Sequence, residues 1–135
     1  MPRLSRWLVR TAFVHLLLAL TLGVVALSPR AQAAWPALGR AAPAELHLFV
    51  VGWITQLIAG VAYWLFPRVV RGAPAEDPRG WWVYAGLNLG LALRVAGEPW
   101  AGAAWAGPVL AGSALAQLGA GIVLVVSLWP RTRAR

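Results

Sequence analysis

Few residues of this chain are able to do chemistry inside a membrane: His15, His47, Arg94 and Glu98. An ionisable side chain within hydrocarbon is costly, so it is a functional candidate by default. At ~1.5 Å per residue along a helix, we expect His15 to lie on the order of 10–15 Å deeper than His47. We expect His47, Arg94 and Glu98 to share one layer near the outer surface. The chain has no cysteine, which excludes disulfides and thiolate metal sites.

The same side chains also have purely structural interpretations. Arg94 and Glu98 are four residues apart, the spacing of an ion pair on one helix face. His15 is interpreted as a packing residue or as one half of a hydrogen bond between helices. For His47, an interfacial histidine bonded to a loop and a ligand-binding residue both remain open. A quinol or small-ligand site in the layer of His47, Arg94 and Glu98 is a weaker interpretation.

Long apolar stretches, separated by arginine and proline, dominate the chain. Of its 135 residues, 60% are hydrophobic and 12% are charged, and the mean hydropathy is +0.67. Soluble domains average roughly 45–50% apolar and about 25% charged residues, so a water-soluble enzyme is excluded. Continuous apolar runs long enough for a ~30 Å hydrocarbon core predict helices rather than strands. The sequence thus predicts an all-α, four-transmembrane-helix bundle, one domain over residues 1–135, with spans at about 7–27, 45–66, 80–96 and 104–129.

The arginines predict the orientation of these spans. Nine of the twelve basic residues fall on one side of a four-span arrangement, and the positive-inside rule makes that side cytoplasmic. We therefore expect a multi-pass protein of a bacterial-type cytoplasmic membrane with both termini inside (N-in/C-in). The net charge of +8 is explained by this topology, so lipid and not nucleic acid is the predicted partner. The nine are Arg3, Arg6, Arg10, Arg68, Arg71, Arg79, Arg131, Arg133 and Arg135, against Arg30, Arg40 and Arg94 on the other side.

The N-terminus has a second interpretation, as a secretory signal. Arginines, an apolar stretch over residues 11–27 and the triplet Ala31-Gln32-Ala33 have the order of a cleavable signal peptide. The apolar stretch exceeds the usual length, and Arg30 interrupts the approach to the cleavage site. A retained helix is therefore favoured over loss of residues 1–33, and the arginine distribution is compatible with both.

Small residues recur at helical spacing and predict helix-packing faces. Gly86 and Gly90 form a Gly-x-x-x-Gly pair in the third span, which lets two backbones approach closely in lipid. In the second span a small or polar face lies opposite the apolar stripe from which His47 projects. That face comprises Gly52, Gln56, Gly60 and Tyr63, and the corresponding residues of the fourth span are Gly112, Ala116 and Ala120.

One stretch resembles a helix of the haem–copper oxidase and nitric oxide reductase subunit I superfamily. It begins His47-Leu48-Phe49-Val50-Val51-Gly52-Trp53, continues through Gln56, Gly60 and Tyr63, and ends Leu65-Phe66-Pro67-Arg68. More loosely, Asn88-Leu89-Gly90-Leu91-x-Leu93-Arg94 with Glu98-Pro99 is similar to a segment of short stand-alone proteins of that type. In the superfamily, the histidine that opens the second helix ligates the low-spin haem.

The resemblance implies a haem-b-binding or haem-oxidase-associated membrane protein. His47 corresponds to the axial ligand of the haem iron, and Arg94 has the position of a partner for haem propionates. Subunit I has twelve helices, and its other haem ligands and copper histidines lie on helices that have no counterpart here. Oxygen or nitric oxide reduction by this chain alone is therefore not expected, and an enzyme is the less favoured class.

A second function class stays open beside the first. The chain is alternatively a non-catalytic accessory subunit or assembly factor, without a cofactor, of a respiratory complex. In both cases the expected partners are a respiratory oxidase or nitric oxide reductase complex, or further copies of the chain. A second axial ligand for haem would come from such a partner, because His15 is at another depth.

Overall fold

A computed structural model describes residues 1–66 and 77–132, and every regular element in these two ranges is a helix. We number five of them: α1 is Arg3–Ala26, α2 is Pro29–Ala34, α3 is Ala42–Leu65, α4 is Pro78–Gly97 and α5 is Ala106–Leu128. Short 3-10 turns cover Pro36–Arg40, Glu98–Trp100 and Trp129–Thr132. Five residues named in the sequence analysis lie outside these two ranges: Pro67, Arg68, Arg71, Arg133 and Arg135.

Three helices of the described ranges are long and apolar enough to cross a membrane: α1, α3 and α5 extended to Thr132. The all-α membrane architecture predicted from composition is confirmed at this level. Helices α1, α3 and α4 begin two to four residues before the predicted spans, because arginine and small residues continue a helix beyond the hydrocarbon. Helix α5 instead begins at Ala106, two residues after the predicted start of the fourth span at about 104. The remaining long helix, α4, has 20 residues and carries Arg79, Asn88 and Arg94, which lower its hydropathy.

Helices α1 and α3 pack as an antiparallel pair along their whole length. A Cβ on Gly60 would lie 3.0 Å from Leu8, and one on Gly52 would lie 2.8 Å from His15. Near the other end of the pair, the space beside Gly23 is filled by the Glu45 side chain. The predicted small and polar face of α3 is therefore the face that packs on α1.

Helices α4 and α5 form the second antiparallel pair. A Cβ added to Gly86 would lie 2.9 Å from Cβ of Ala120, and one on Gly90 would lie 3.1 Å from the carbonyl oxygen of Ser113. Gly97 faces Leu110 at the far end of the same interface. The predicted packing role of the Gly86 and Gly90 face is confirmed, because these helices touch through small residues where lipid provides no hydrophobic drive.

Two small clusters of buried side chains join the helices. One contains Leu4, Leu8, Ala59 and Tyr63, with the partly buried Tyr84, Leu124 and Leu128 packed against it. The other contains Val83, Leu87 and Ala120, with Val51, Val123 and Leu124 beside it. We call the end of the bundle with the α1–α3 connection and the Glu98–Trp100 turn the loop end. The opposite end, which contains Leu4, Tyr63 and Ser127, is called the terminal end.

Tryptophans mark both ends of the long helices, as the sequence analysis expected. Tryptophan is enriched where hydrocarbon meets water, and eight of the nine lie near helix ends or in the turns between helices with exposed side chains. Trp53 is again the exception: it is half-buried in α3 and its ring contacts Phe49 edge to face at 4.7 Å. The exposed eight are Trp7, Trp35, Trp64, Trp81, Trp82, Trp100, Trp105 and Trp129.

Candidate functional site

Helix α3 is widened into a π-helix over Leu48–Thr55, beside the middle of α1. Thr55 donates its hydroxyl hydrogen to the carbonyl of Val50 at 2.9 Å, five residues earlier, in keeping with the wider turn. π-Helical turns are rare and occur frequently at functional sites. His47 immediately precedes this segment, and Gly52 lies within it, so both histidines of the chain adjoin the same irregularity.

His15 is held in a hydrogen-bond network between α1 and α3. Its Nδ1 lies 3.1 Å from Oε1 of Gln56 and 3.3 Å from the carbonyl oxygen of Gly52. Because a carbonyl only accepts, Nδ1 carries the hydrogen and donates it. Gln56 is fully buried and donates through Nε2 to Thr11 Oγ1 at 2.9 Å, and Thr11 donates to the carbonyl of Trp7 at 2.7 Å.

This network confirms the interpretation of His15 as a hydrogen bond between helices. His15 is the thirteenth of the 24 residues of α1, so the network lies near the middle of the helix. Gly52 and Gln56 follow His47 by five and nine residues, which puts them roughly 7–13 Å further along α3. The depth difference expected between the two histidines is therefore present.

His47 lies at the loop end, half-buried, with one ring nitrogen engaged. Its Nδ1 donates to the carbonyl oxygen of Pro43 at 2.7 Å. The acceptor belongs to the first turn of the same helix, so the alternative of a hydrogen bond to a loop is not what the structure contains. Among the described residues, Nε2 has no hydrogen-bond partner and is left as an acceptor. The exposed stripe of α3 contains Leu46, Val50, Ile54 and Ile58, and His47 follows the first residue of that stripe.

Arg94 and Glu98 form the ion pair that their spacing predicts. Nη1 of Arg94 donates to Oε1 of Glu98 at 2.8 Å, and Glu98 is only 9% exposed. Nε of Arg94 is buried and has no hydrogen-bond partner. Arg40 donates from Nε to the carbonyl of Pro99 at 3.1 Å, which ties the α1–α3 connection to the same turn.

The loop end thus brings the predicted site residues into one region without joining them into one network. The first turns of α3 contact both α4 and the Glu98–Trp100 turn. Within residues 1–66 and 77–132, no hydrogen bond or ion pair links His47 to Arg94 or to Glu98. A propionate role for Arg94 would require its guanidinium to share its hydrogens with Glu98.

A polar cluster at the terminal end was missed by the sequence analysis. Tyr63 and Ser127 share a hydrogen bond of 2.6 Å between their hydroxyls, and the Arg131 guanidinium lies 5.3 Å from the Tyr63 ring centroid. Arg131 also pairs with Asp77 at 2.6 Å. The other carboxylate oxygen of Asp77 accepts from the backbone N–H of Arg79 and caps α4. The sequence Asp77-Pro78 is a recognisable helix start, so the capping role of Asp77 could have been predicted. Its ion pair could not, because Arg131 lies 54 residues further along the chain.

No protein-family model, curated protein or solved structure matches the chain. The similarity of residues 47–68 to subunit I therefore stays a prediction from those residues alone. Its last two positions, Pro67 and Arg68, lie outside the described part of the chain.

Proposed function

We propose that the chain is a four-span, N-in/C-in protein of a bacterial-type cytoplasmic membrane, with α4 as the fourth span. The support is the extent of α4 in the bundle. Gly80 lies against Leu4 and Tyr63 at the terminal end, and Gly97 lies against Leu110 at the loop end. A helix of 20 residues is ~30 Å long, the thickness of a hydrocarbon core.

We also propose that α1 is retained rather than removed as a signal peptide. The support is its packing: α1 supplies the His15 and Thr11 ends of the network around Gln56. Removal of residues 1–33 would leave the fully buried Gln56 amide without partners in an apolar environment, where an unpaired polar group costs roughly 2–7 kcal/mol.

For function, we propose that His47 presents Nε2 as an axial ligand to haem b, in association with a respiratory complex. The observation that carries this proposal is the hydrogen bond from His47 Nδ1 to the Pro43 carbonyl. Metal-ligating histidines commonly donate their second ring N–H to a carbonyl or carboxylate, which fixes the tautomer and the orientation of the ring. The exposed apolar stripe of α3 at Ile54 and Ile58 suits the edge of a macrocycle.

The rest of the structure limits where such a haem would lie. The interfaces at Gly52, Gly86 and Gly90 are closed by contacts too short for a methyl group, so the interior of the bundle is not the haem site. His47 would hold the group from the lipid-facing side of α3, with the second axial ligand from a partner or a second copy. When bound, haem b supplies redox or gas-binding chemistry at its iron.

A non-catalytic accessory subunit or assembly factor is the second candidate function. The ion pair of Arg94 with Glu98 at 2.8 Å favours this alternative. Because Glu98 already neutralises the charge of Arg94, this arginine does not need a haem propionate as its partner. In this alternative the π-helical segment and the small-residue faces serve packing, and the exposed apolar stripe of α3 contacts a partner helix.

The absorption spectrum of the full chain, purified in detergent with and without added haem, tests the two candidates. We expect His47→Ala to abolish the Soret and reduced α bands or to change the spin state, because alanine cannot replace an imidazole ligand. Arg94→Ala should weaken haem binding without changing the ligand-field spectrum, since it removes charge-assisted hydrogen bonds and no iron bond. His15→Ala should leave the spectrum nearly unchanged.

Circular dichroism and gel filtration of each variant control for folding. A spectrum that survives His47→Ala and is lost in His15→Ala would show that the wrong histidine was chosen. A colourless protein in every preparation, including one with the partner complex, would leave the accessory function as the conclusion.

A further inference from the structure

A cleft of about 330 Å³ opens beside the first turns of α3 at the loop end. It is lined by one carboxylate, one aromatic ring and two aliphatic side chains: Glu45, Phe49, Ala42 and Leu46. This cleft is separate from the proposed haem ligand, because His47 does not line it. Binding at this cleft requires only that the helices lie in a membrane and does not depend on haem.

Glu45 brings an unpaired negative charge to this cleft. Its carboxylate packs on α1 in the space that a Cβ on Gly23 would need. Within the described residues, ion pairs join Arg94 with Glu98 and Arg131 with Asp77, and Glu45 has no basic partner there. Glu45 lies in the first turn of α3, where the positive end of the helix dipole attracts a negative charge.

The lining of the cleft selects for a particular ligand chemistry. A carboxylate accepts hydrogen bonds from an ammonium group, and a ring such as that of Phe49 attracts the same cation through its face. Ala42 and Leu46 offer no polar atom beyond their backbones, so the rest of a ligand must be apolar. The combination fits a primary amine attached to hydrophobic chains.

The position of the cleft in the bundle indicates which class of molecule carries the amine. It lies in the layer of the exposed Trp35 and Trp100, the type of residue that marks the headgroup region of a bilayer. Leu27 and Val24 of α1, near the same end, are 81% and 73% exposed and provide an apolar surface for acyl chains. We propose that this cleft binds the ammonium headgroup of an ethanolamine phospholipid.

Native mass spectrometry of the full chain tests this proposal by titration with lipid in detergent. The probes are dioleoyl phosphatidylethanolamine and dioleoyl phosphatidylglycerol. We expect the ethanolamine lipid to bind more tightly, and Glu45→Gln to weaken its binding about tenfold, which is the worth of one charge-assisted hydrogen bond. Glu98→Gln is the matched control, since it removes the same charge at the same end of the bundle and should keep the preference.

Phe49→Leu is a second variant that keeps the cleft apolar. It should weaken binding of the ethanolamine lipid by a smaller factor than Glu45→Gln does. This variant decides the matter if Glu45→Gln does not fold. Equal binding of both lipids, or a preference for phosphatidylglycerol caused by the nearby arginines, would overturn the proposal. A preference for the ethanolamine lipid that remains in the Glu45→Gln variant would also overturn it. Full displacement of the lipid by millimolar free ethanolamine would overturn it as well, because it would indicate a site for small amines instead of lipid.

Discussion

Gly52 gives His15 the space for its ring in the middle of the α1–α3 interface. A Cβ at position 52 would lie 2.8 Å from both Cβ and Cγ of His15, closer than carbon atoms pack. The close approach also brings the Gly52 carbonyl within 3.3 Å of His15 Nδ1. One absent methyl group therefore permits both the packing of the helices and the polar network at this depth.

We expect Gly52→Ala to destabilise the folded protein by about 1–3 kcal/mol, the usual cost of overpacking a filled interface. Thermal unfolding in detergent, followed by circular dichroism, measures the effect. Gly119→Ala on α5 is the matched control, because nothing lies within 4 Å of the added Cβ. Equal unfolding temperatures for the two variants would contradict the close packing of α1 on α3.

Helix α4 depends on its contacts with α5. It is less apolar than the other three long helices, and its small-residue face is covered by α5. Ser113 donates its hydroxyl hydrogen to the carbonyl of Gly90 at 2.6 Å, and Gln117 donates to Ser113 at 3.2 Å. The bond from Ser113 crosses between the two helices, and such bonds contribute with close packing to helix association in lipid.

Gly90→Leu should therefore separate α4 from α5. A Cβ at this position already lies 2.5 Å from Cγ of Gln117, so a leucine side chain has no space without displacement of the helix. We expect lower yield, faster heat inactivation in detergent and loss of any partner association. Gly121→Leu adds the same bulk to α5 where nothing lies within 4 Å, and it should be tolerated. If Gly90→Leu is equally well tolerated, the assigned interface is wrong.

The proposed orientation in the membrane rests on the distribution of arginines and on the proposed count of four spans. An even number of spans puts both termini on one side, and the arginine-rich side is retained in the cytoplasm. We expect a C-terminal alkaline phosphatase fusion to be inactive and a C-terminal green fluorescent protein fusion to be bright. An active phosphatase fusion would overturn the orientation or the span count.

The intact mass of the membrane-purified chain gives an independent check on the first span. A mass that corresponds to all 135 residues is expected, because α1 supplies half of the network around Gln56. Loss of residues 1–33 would contradict the four-span proposal and would remove His15.

The helical class, the approximate helix bounds and the contacts between near neighbours along the chain were predictable from the sequence. Apolar runs and prolines mark the helices because helix formation and proline's missing N–H are local properties. The pair Arg94 and Glu98 was predictable because residues four apart always face each other on a helix. The packing faces at Gly52 and Gly86 were predictable for the same reason, since helical periodicity fixes which side chains share a face.

The polar contacts between helices, in contrast, depend on the tertiary packing of the chain. His15 bonds to Gln56, which is 41 residues away in the sequence, and Arg131 bonds to Asp77, which is 54 residues away. The sequence assigned both Gln56 and His15 to helix interiors, but their meeting depends on the relative rotation and register of α1 and α3. The rotation and register are set by many small packing contacts, among them Glu45 on Gly23 and Leu8 on Gly60. They also depend on the π-helical segment Leu48–Thr55, which rotates the later residues of α3 relative to the earlier ones. No local sequence pattern specifies that rotation.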